Sequence, residues 1–310
     1  MRWDLVLSLF YYTIKMSTPL LLCTIGGVFV QKAGTMNFAL EAAINFGCFC
    51  SVVFTVITEK TWVGAISAII SCLLLNAVFG FFVVDLEADA TVVGMGLNML
   101  MMAIPPYLLQ AFWDSRGLLV GTDYIDVIGS QIDVPILRDI PILRDIFNHQ
   151  SPLAYASYVI IAILTVVFYR TKFGVYTQVT GENLLAAEAV GVNTRKIKWI
   201  ALAISAVCSA LAALSLTFEQ VGSYSLNMSS ARGLICLSAI NCGRKEPIKS
   251  CLYALLFGFT ASLKLILASL VSPNTTLVLD IVPYLTIIIV FLFTEIPVAK
   301  KNTMRFFREN

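Results

Sequence analysis

The chain has 310 residues, of which 58% are hydrophobic and only 13% charged, and its mean hydropathy is +0.85. A soluble globular domain carries about 25% charged and about 45–50% apolar residues, so this composition excludes a water-soluble enzyme. Lysine and arginine number 21 against 19 acidic residues, a balance too even for a nucleic-acid partner.

At about 20 residues per crossing, the apolar majority fills about nine helices. The expectation is an all-α, polytopic membrane protein, a single domain over 1–310. In chain order the apolar runs fall at 5–30, 41–57, 62–84, 92–112, 153–169, 198–217, 231–243, 250–271 and 277–296. The first contains Asp4 and Lys15 and no small-residue cleavage site, and so reads as a retained helix. The runs at 41–57 and 231–243 are short, and each follows a stretch rich in Gly, Asn or Ser. Half-helices or re-entrant turns are expected there, shielded by protein or a cavity. In each half a long helix runs into such a break and then a short helix. The two units would run in opposite directions, as inverted repeats do, and transport sites lie at such discontinuities.

Basic residues set the orientation. Arg170, Lys172, Arg195, Lys196 and Lys198 fall in 170–198, Arg244, Lys245 and Lys249 in the turn 243–249, and Lys300, Lys301, Arg305 and Arg308 in the tail. With nine crossings these three segments share the cytoplasmic side, and the N-terminus and the loop 113–152 lie outside. Asp85, Glu87 and Asp89 dissent, falling inside without basic neighbours in sequence. The outer loop holds a direct repeat, Pro135–Ile140 then Pro141–Ile146, in which each proline suits a short helix start. It reads equally as a partner-docking surface or as two turns lying on the membrane.

The eight cysteines sit in or beside apolar runs and His149 is the single histidine. They read as reduced packing residues, with no disulfide framework, metal site or cofactor expected.

Ionisable groups at bilayer depth face a bundle interior or a wet cavity. Asn37, Glu41 and Asn45 are spaced i, i+4, i+8, one helical face able to line a polar pathway or to bond neighbouring helices. Asn76 and Asn98 are lone amides in apolar helices, where interhelical bonding is the stronger reading; Asn98 is kept as a pathway candidate. Glu219, Asn227 and Arg232 frame the second break, and Glu219 and Arg232 could pair across it. Lys264, in the 250–271 run, reads as snorkelling to a surface or pairing elsewhere in the fold. The sequence contains no GxxxxGK[ST], HExxH or GxSxG, so nucleotide hydrolysis would have to occur on another chain.

The stretch Gly181-Glu182-Asn183-Leu-Leu-Ala186-Ala187-Glu188-Ala189-Val-Gly191-Val-Asn193 resembles the GENxxAAxxAGI signature of ABC-importer permeases in the ribose, branched-chain amino-acid and nucleoside superfamily. Gly34-Thr-Met-Asn37-Phe-Ala39-Leu-Glu41-Ala42 resembles the family's G-V-x-N-I-G-x-E-G, with Ala39 and Ala42 in place of glycines. The run from Asn227 through Arg232-Gly233 to Gly243-Arg244-Lys-Glu-Pro247 resembles its short helix leading to G-R-x-x-P. The blocks look most like nucleoside-type permeases, with riboflavin, a sugar or a branched-chain amino acid as alternative cargo. The resemblance implies a bacterial inner-membrane permease subunit, itself not an enzyme. Its implied partners are ATP-binding-cassette ATPase subunits, a second permease (copy or paralogue) and an extracytoplasmic substrate-binding lipoprotein. It also implies that 182–191 is the coupling helix. Independently, Glu, Leu and Ala favour a helix there, with Glu182 near its start, Ala186 and Ala187 allowing close approach, Glu188 free to meet a basic groove and Gly191 as C-cap. A different class, an ion-coupled secondary transporter, would use Glu41 as its coupling group. A membrane-embedded enzyme has no visible metal or nucleophile constellation.

Overall fold

The structure is a computed structural model that describes residues 2–115, 117–121, 125, 150–270, 279 and 281–294. The repeat at 135–146, His149 and most of the loop 113–152 lie outside the described residues, as does the basic tail. In chain order the helices are α1 (Arg2–Lys32), α2 (Leu40–Thr58), α3 (Thr61–Gly80), α4 (Ala90–Trp113), α5 (Pro152–Arg170), α6 (Lys172–Glu182), α7 (Leu184–Ala189), α8 (Thr194–Leu214), α9 (Arg232–Cys242), α10 (Pro247–Leu270) and α11 (Ile281–Thr294). Two short strands, β1 (Leu118–Val120) and β2 (Ser223–Ser225), pair antiparallel with Leu119 opposite Tyr224.

The protein is a polytopic all-α membrane protein. Seven of its described helical segments are long and apolar enough to cross a bilayer, and α9 and α11 are shorter apolar helices. Each of the nine expected runs overlaps a described helix, but not all nine helices are of spanning length. The segment expected as a half-helix at 41–57 is a 19-residue helix of spanning length, because the polar break ends before it at Ala39. Of the two segments expected to be short, only α9, with 11 residues, is.

Helix α1 is the central post, buried along most of its length and packed on α8, α9 and α10. Pro19 sits within it and cannot donate to the Lys15 carbonyl four residues back. Gln220 Nε2 takes that carbonyl at 3.1 Å, which is how a membrane helix accommodates proline. Helices α4 and α5 lie outermost, with most of their surface uncovered by the rest of the chain. All eight cysteines are buried within the bundle.

At one end, the α3 helix finishes in a π-helical turn, Phe81–Asp85. Asp85 there accepts from Arg195 Nε at 2.7 Å and Trp199 Nε1 at 3.2 Å. The acidic segment 85–89 therefore has a basic neighbour after all, supplied by α8. Asp89 caps α4, accepting from the Thr91 and Val92 N–H groups, and these bonds hold its carboxyl below the usual range.

Candidate functional site

The site forms where the two chain breaks meet. After α1 the backbone runs irregularly through 33–39, and α2 starts only at Leu40. Asn37 thus precedes the helix, so the expected three-residue stripe reduces to Glu41 and Asn45. Asn37 makes a local turn, its Oδ1 accepting from Ala39 N–H at 3.1 Å. Its Nδ2 donates to Asn76 Oδ1 at 3.0 Å and to Ser205 Oγ at 3.4 Å. Asn98 clamps the same turn from α4, accepting from Ala42 N–H at 2.8 Å and donating to the Phe38 carbonyl at 3.0 Å. These amides hold the first break against three helices.

The second break begins where α8 ends in a π-helical turn, Ser215–Val221, closed by Gly222 at φ +71°. β2 follows, then a tight turn in which Asn227, Ser230 and Ala231 adopt left-handed backbone conformations. Such conformations cost free energy in non-glycine residues and collect at functional sites. Asn227 is exposed. Arg232 folds back on the turn, its Nη1 donating to the Met228 and Ser229 carbonyls at 3.1 and 3.2 Å. The expected Glu219–Arg232 pair does not form. Glu219 instead accepts from Leu153 N–H at 2.8 Å, using the free donors of the α5 N-terminus.

Glu41 joins the breaks. Its Oε1 accepts from Ser229 Oγ and from Ala231 N–H at 2.9 Å, and its Oε2 from Gly233 N–H at 2.7 Å. A carboxylate on α2 thus caps the N-terminus of α9, where free N–H groups and the helix dipole favour an anion. Gly233 permits the approach, since a Cβ there would lie 2.4 Å from the Glu41 nitrogen. One turn further along α2, Asn45 is 2% exposed, and its Oδ1 has no hydrogen-bond partner among the described residues. Arg232 and Lys264 line one cavity of about 230 Å³ between α1, α9, α10 and α11, with Tyr284 on its wall.

The 170–198 segment contacts the first break directly. Gly181 lies so close to the end of α1 that a Cβ would sit 1.9 Å from the Lys32 carbonyl oxygen. Lys32 Nζ pairs with Glu182 at 3.3 Å beside that contact. Glu182 therefore ends α6 and does not open the next helix. Asn183 breaks the expected 182–191 helix, its side chain capping α7 through Ala186 N–H at 3.0 Å. Gly191 follows α7 at φ +84°, a conformation glycine adopts readily. Ala187 is fully buried against its own chain, and Glu188 accepts from Thr194 Oγ1 at 2.9 Å, so neither is the free contact that was expected. Ala186 is exposed, and the most exposed apolar side chains here are Leu185 on α7 and Val190 at its C-cap, 77% and 83% exposed. Composition alone gave no cue to them, because α7's inward and outward faces become visible only once Ala187 is seen to be buried.

Residues 9–291 match the family described as branched-chain amino acid transport system / permease component. The chain is 30% identical to the nucleoside ABC transporter permease protein NupC of Lactococcus lactis subsp. cremoris, over 92% of each protein. It is 27% identical to the guanosine ABC transporter permease protein NupQ of Bacillus subtilis, over 82% of this chain and 81% of that one. Its fold resembles a chain of PsaBC from Streptococcus pneumoniae in complex with Fab, with a TM-score of 0.54 at 14% identity, covering 92% of this chain and 90% of the other. With most of its length matched, the chain belongs to the permease-component family of branched-chain amino acid transport systems.

Proposed function

We propose that the chain is the membrane-spanning permease subunit of an ATP-binding-cassette importer for a nucleoside-like solute. The observation that carries this reading is the α6–α7 segment: a capped surface helix with exposed Leu185 and Val190, joined at Gly181 and Lys32 to the break that leads to Glu41. The names of the relatives NupC and NupQ favour a nucleoside over riboflavin, a sugar or a branched-chain amino acid.

In this reading all of 1–310 is one permease domain in a bacterial inner membrane, with the N-terminus and 113–152 outside and the C-terminus and 170–198 in the cytoplasm. Separate ATPase subunits hydrolyse ATP and dock on 181–191, using Ala186, Leu185 and Val190 as the outward face. A second permease, copy or paralogue, completes the pathway, and an extracytoplasmic lipoprotein delivers the solute. ATPase motion displaces α7 and, through the Gly181 contact and the Lys32–Glu182 pair, moves the 33–39 break. Because Asn37 and Asn98 grip that break and Glu41 grips α9, the two breaks move together. The pathway opens beside Glu41, Asn45, Asn227 and Arg232, alternately to each side. An ion-coupled mechanism using Glu41 would have to break the α9 cap at every cycle.

The test is uptake of labelled nucleosides by proteoliposomes holding permease, ATPase and loaded binding protein. Uptake should require ATP and be displaced by unlabelled nucleosides before riboflavin, sugars or branched-chain amino acids. Uptake that persists without ATP and follows an imposed ion gradient would overturn the proposal.

A further inference from the structure

The turn between α9 and α10, with the first turn of α10, contains Arg244, Lys245 and Lys249 against one acid, Glu246. It closes one end of a cavity of about 420 Å³ whose wall combines Arg244 and Lys249 with Leu252, Tyr253 and Phe293. Lys249 pairs with Glu246 at 2.9 Å, which balances one positive charge. Among the described residues the Arg244 guanidinium and the Tyr253 hydroxyl make no hydrogen bond or ion pair. The cavity therefore presents a fixed cation and a hydroxyl donor to any anion that enters.

Its other wall is apolar. Leu252 is 60% and Phe293 78% exposed; Leu252 stands on α10, an apolar helix of spanning length that starts at the basic turn, and Phe293 near the end of the shorter apolar α11. A site with cationic donors at the water boundary and exposed apolar side chains on the bilayer side matches one kind of molecule, an amphiphile with an anionic head. A small anion would leave the apolar wall unused, and a zwitterionic lipid would bring its own cation to Arg244. We propose that this pocket binds an anionic phospholipid, its phosphodiester on Arg244 with Lys249 and Tyr253 adjacent and an acyl chain along Leu252 and Phe293. The chemistry is that of basic pockets at helix ends that hold anionic headgroups. Arginine suits the phosphate because its planar fork can donate two bonds at once.

The experiment is native mass spectrometry of the full-length chain released from detergent with phosphatidylglycerol, phosphatidylcholine or glycerol 3-phosphate. The expected result is retention of phosphatidylglycerol over phosphatidylcholine. The double variant Arg244→Gln, Lys249→Gln should weaken phosphatidylglycerol by about thirtyfold, from two cations near a headgroup. Both side chains are exposed, and unchanged thermal unfolding in phosphatidylcholine will show that the variant folds. Phe293→Ala should weaken the lipid and leave glycerol 3-phosphate unaffected. Equal retention of both lipids, or retention indifferent to the double variant, would overturn the proposal. So would glycerol 3-phosphate binding as tightly as the lipid, which would make the pocket a small-anion site. Loss of ATPase copurification with phosphatidylglycerol binding intact would overturn it too, by making this surface a protein interface.

Discussion

Glu41 holds three donors, two of them backbone N–H groups of a helix start, inside the helix bundle. Each buried donor left unsatisfied costs about 1–3 kcal/mol. Glu41→Ala should therefore lower the thermal unfolding midpoint in detergent sharply. Glu41→Gln keeps the shape but turns an acceptor into a donor facing other donors, so it should fall between wild type and alanine. A Glu41→Ala variant as stable as wild type would remove the cap from the account. Asn45 makes the opposite case. Its buried Oδ1 has no partner, so Asn45→Leu should leave stability unchanged or raise it. If the amide is kept for the solute, ATP-driven uptake should nevertheless drop by an order of magnitude or more; unchanged uptake would show that Asn45 is not in the pathway. Both residues stood out in the sequence as polar groups in an apolar run. What the spacing could not convey was that α2 begins at Leu40, which removes Asn37 from the stripe, or that the partner of Glu41 is 192 residues away at Gly233.

Helix boundaries were the more legible level. The runs at 62–84 and 153–169 lie within a residue or so of the spans Thr61–Asp85 and Pro152–Arg170, because uninterrupted apolar sequence leaves little choice of register. The coupling segment was legible as helix formers but not as two helices, since a single capping side chain, Asn183, decides the break. That division separates two functions that can be tested apart. Leu185→Asp alters an exposed apolar surface and should leave the unfolding midpoint in place while abolishing copurification of the ATPase subunits. Gly181→Val forces a side chain into the Lys32 backbone. It should retain ATPase binding but lose the stimulation of ATP hydrolysis by loaded binding protein. Stimulation that survives Gly181→Val in a folded complex would mean that motion does not pass through this contact. Ala187→Trp is a poor probe of docking, because the bulk would enter this chain's own core.

For the whole molecule, the question is which end faces the cytoplasm. The Lys32–Glu182 and Asp85–Arg195 pairs bring the end of α1, the end of the α3 span and the 170–198 segment to one end of the bundle. From there α4 and α8 both run away and deliver β1 and β2, which pair at the opposite end. The sequence alone left Asp85 without a basic neighbour because Arg195 is 110 residues distant. With that pair in place, the acidic segment no longer opposes the distribution of basic residues. Five of the basic residues fall within 170–198, which by the positive-inside rule goes to the cytoplasm in the proposed orientation. Reporter fusions after Gly181 should therefore be active only as cytoplasmic reporters, and fusions after Gly121, just beyond β1, only as extracytoplasmic ones. The two positions are separated by α5 as the one described spanning helix between them. Opposite sidedness with the reverse sense would keep the fold and invert the orientation, placing α7 where no ATPase could reach it and removing the importer reading with it. The same sidedness for both would mean that α5 does not cross the membrane, against its 19-residue, mostly apolar length.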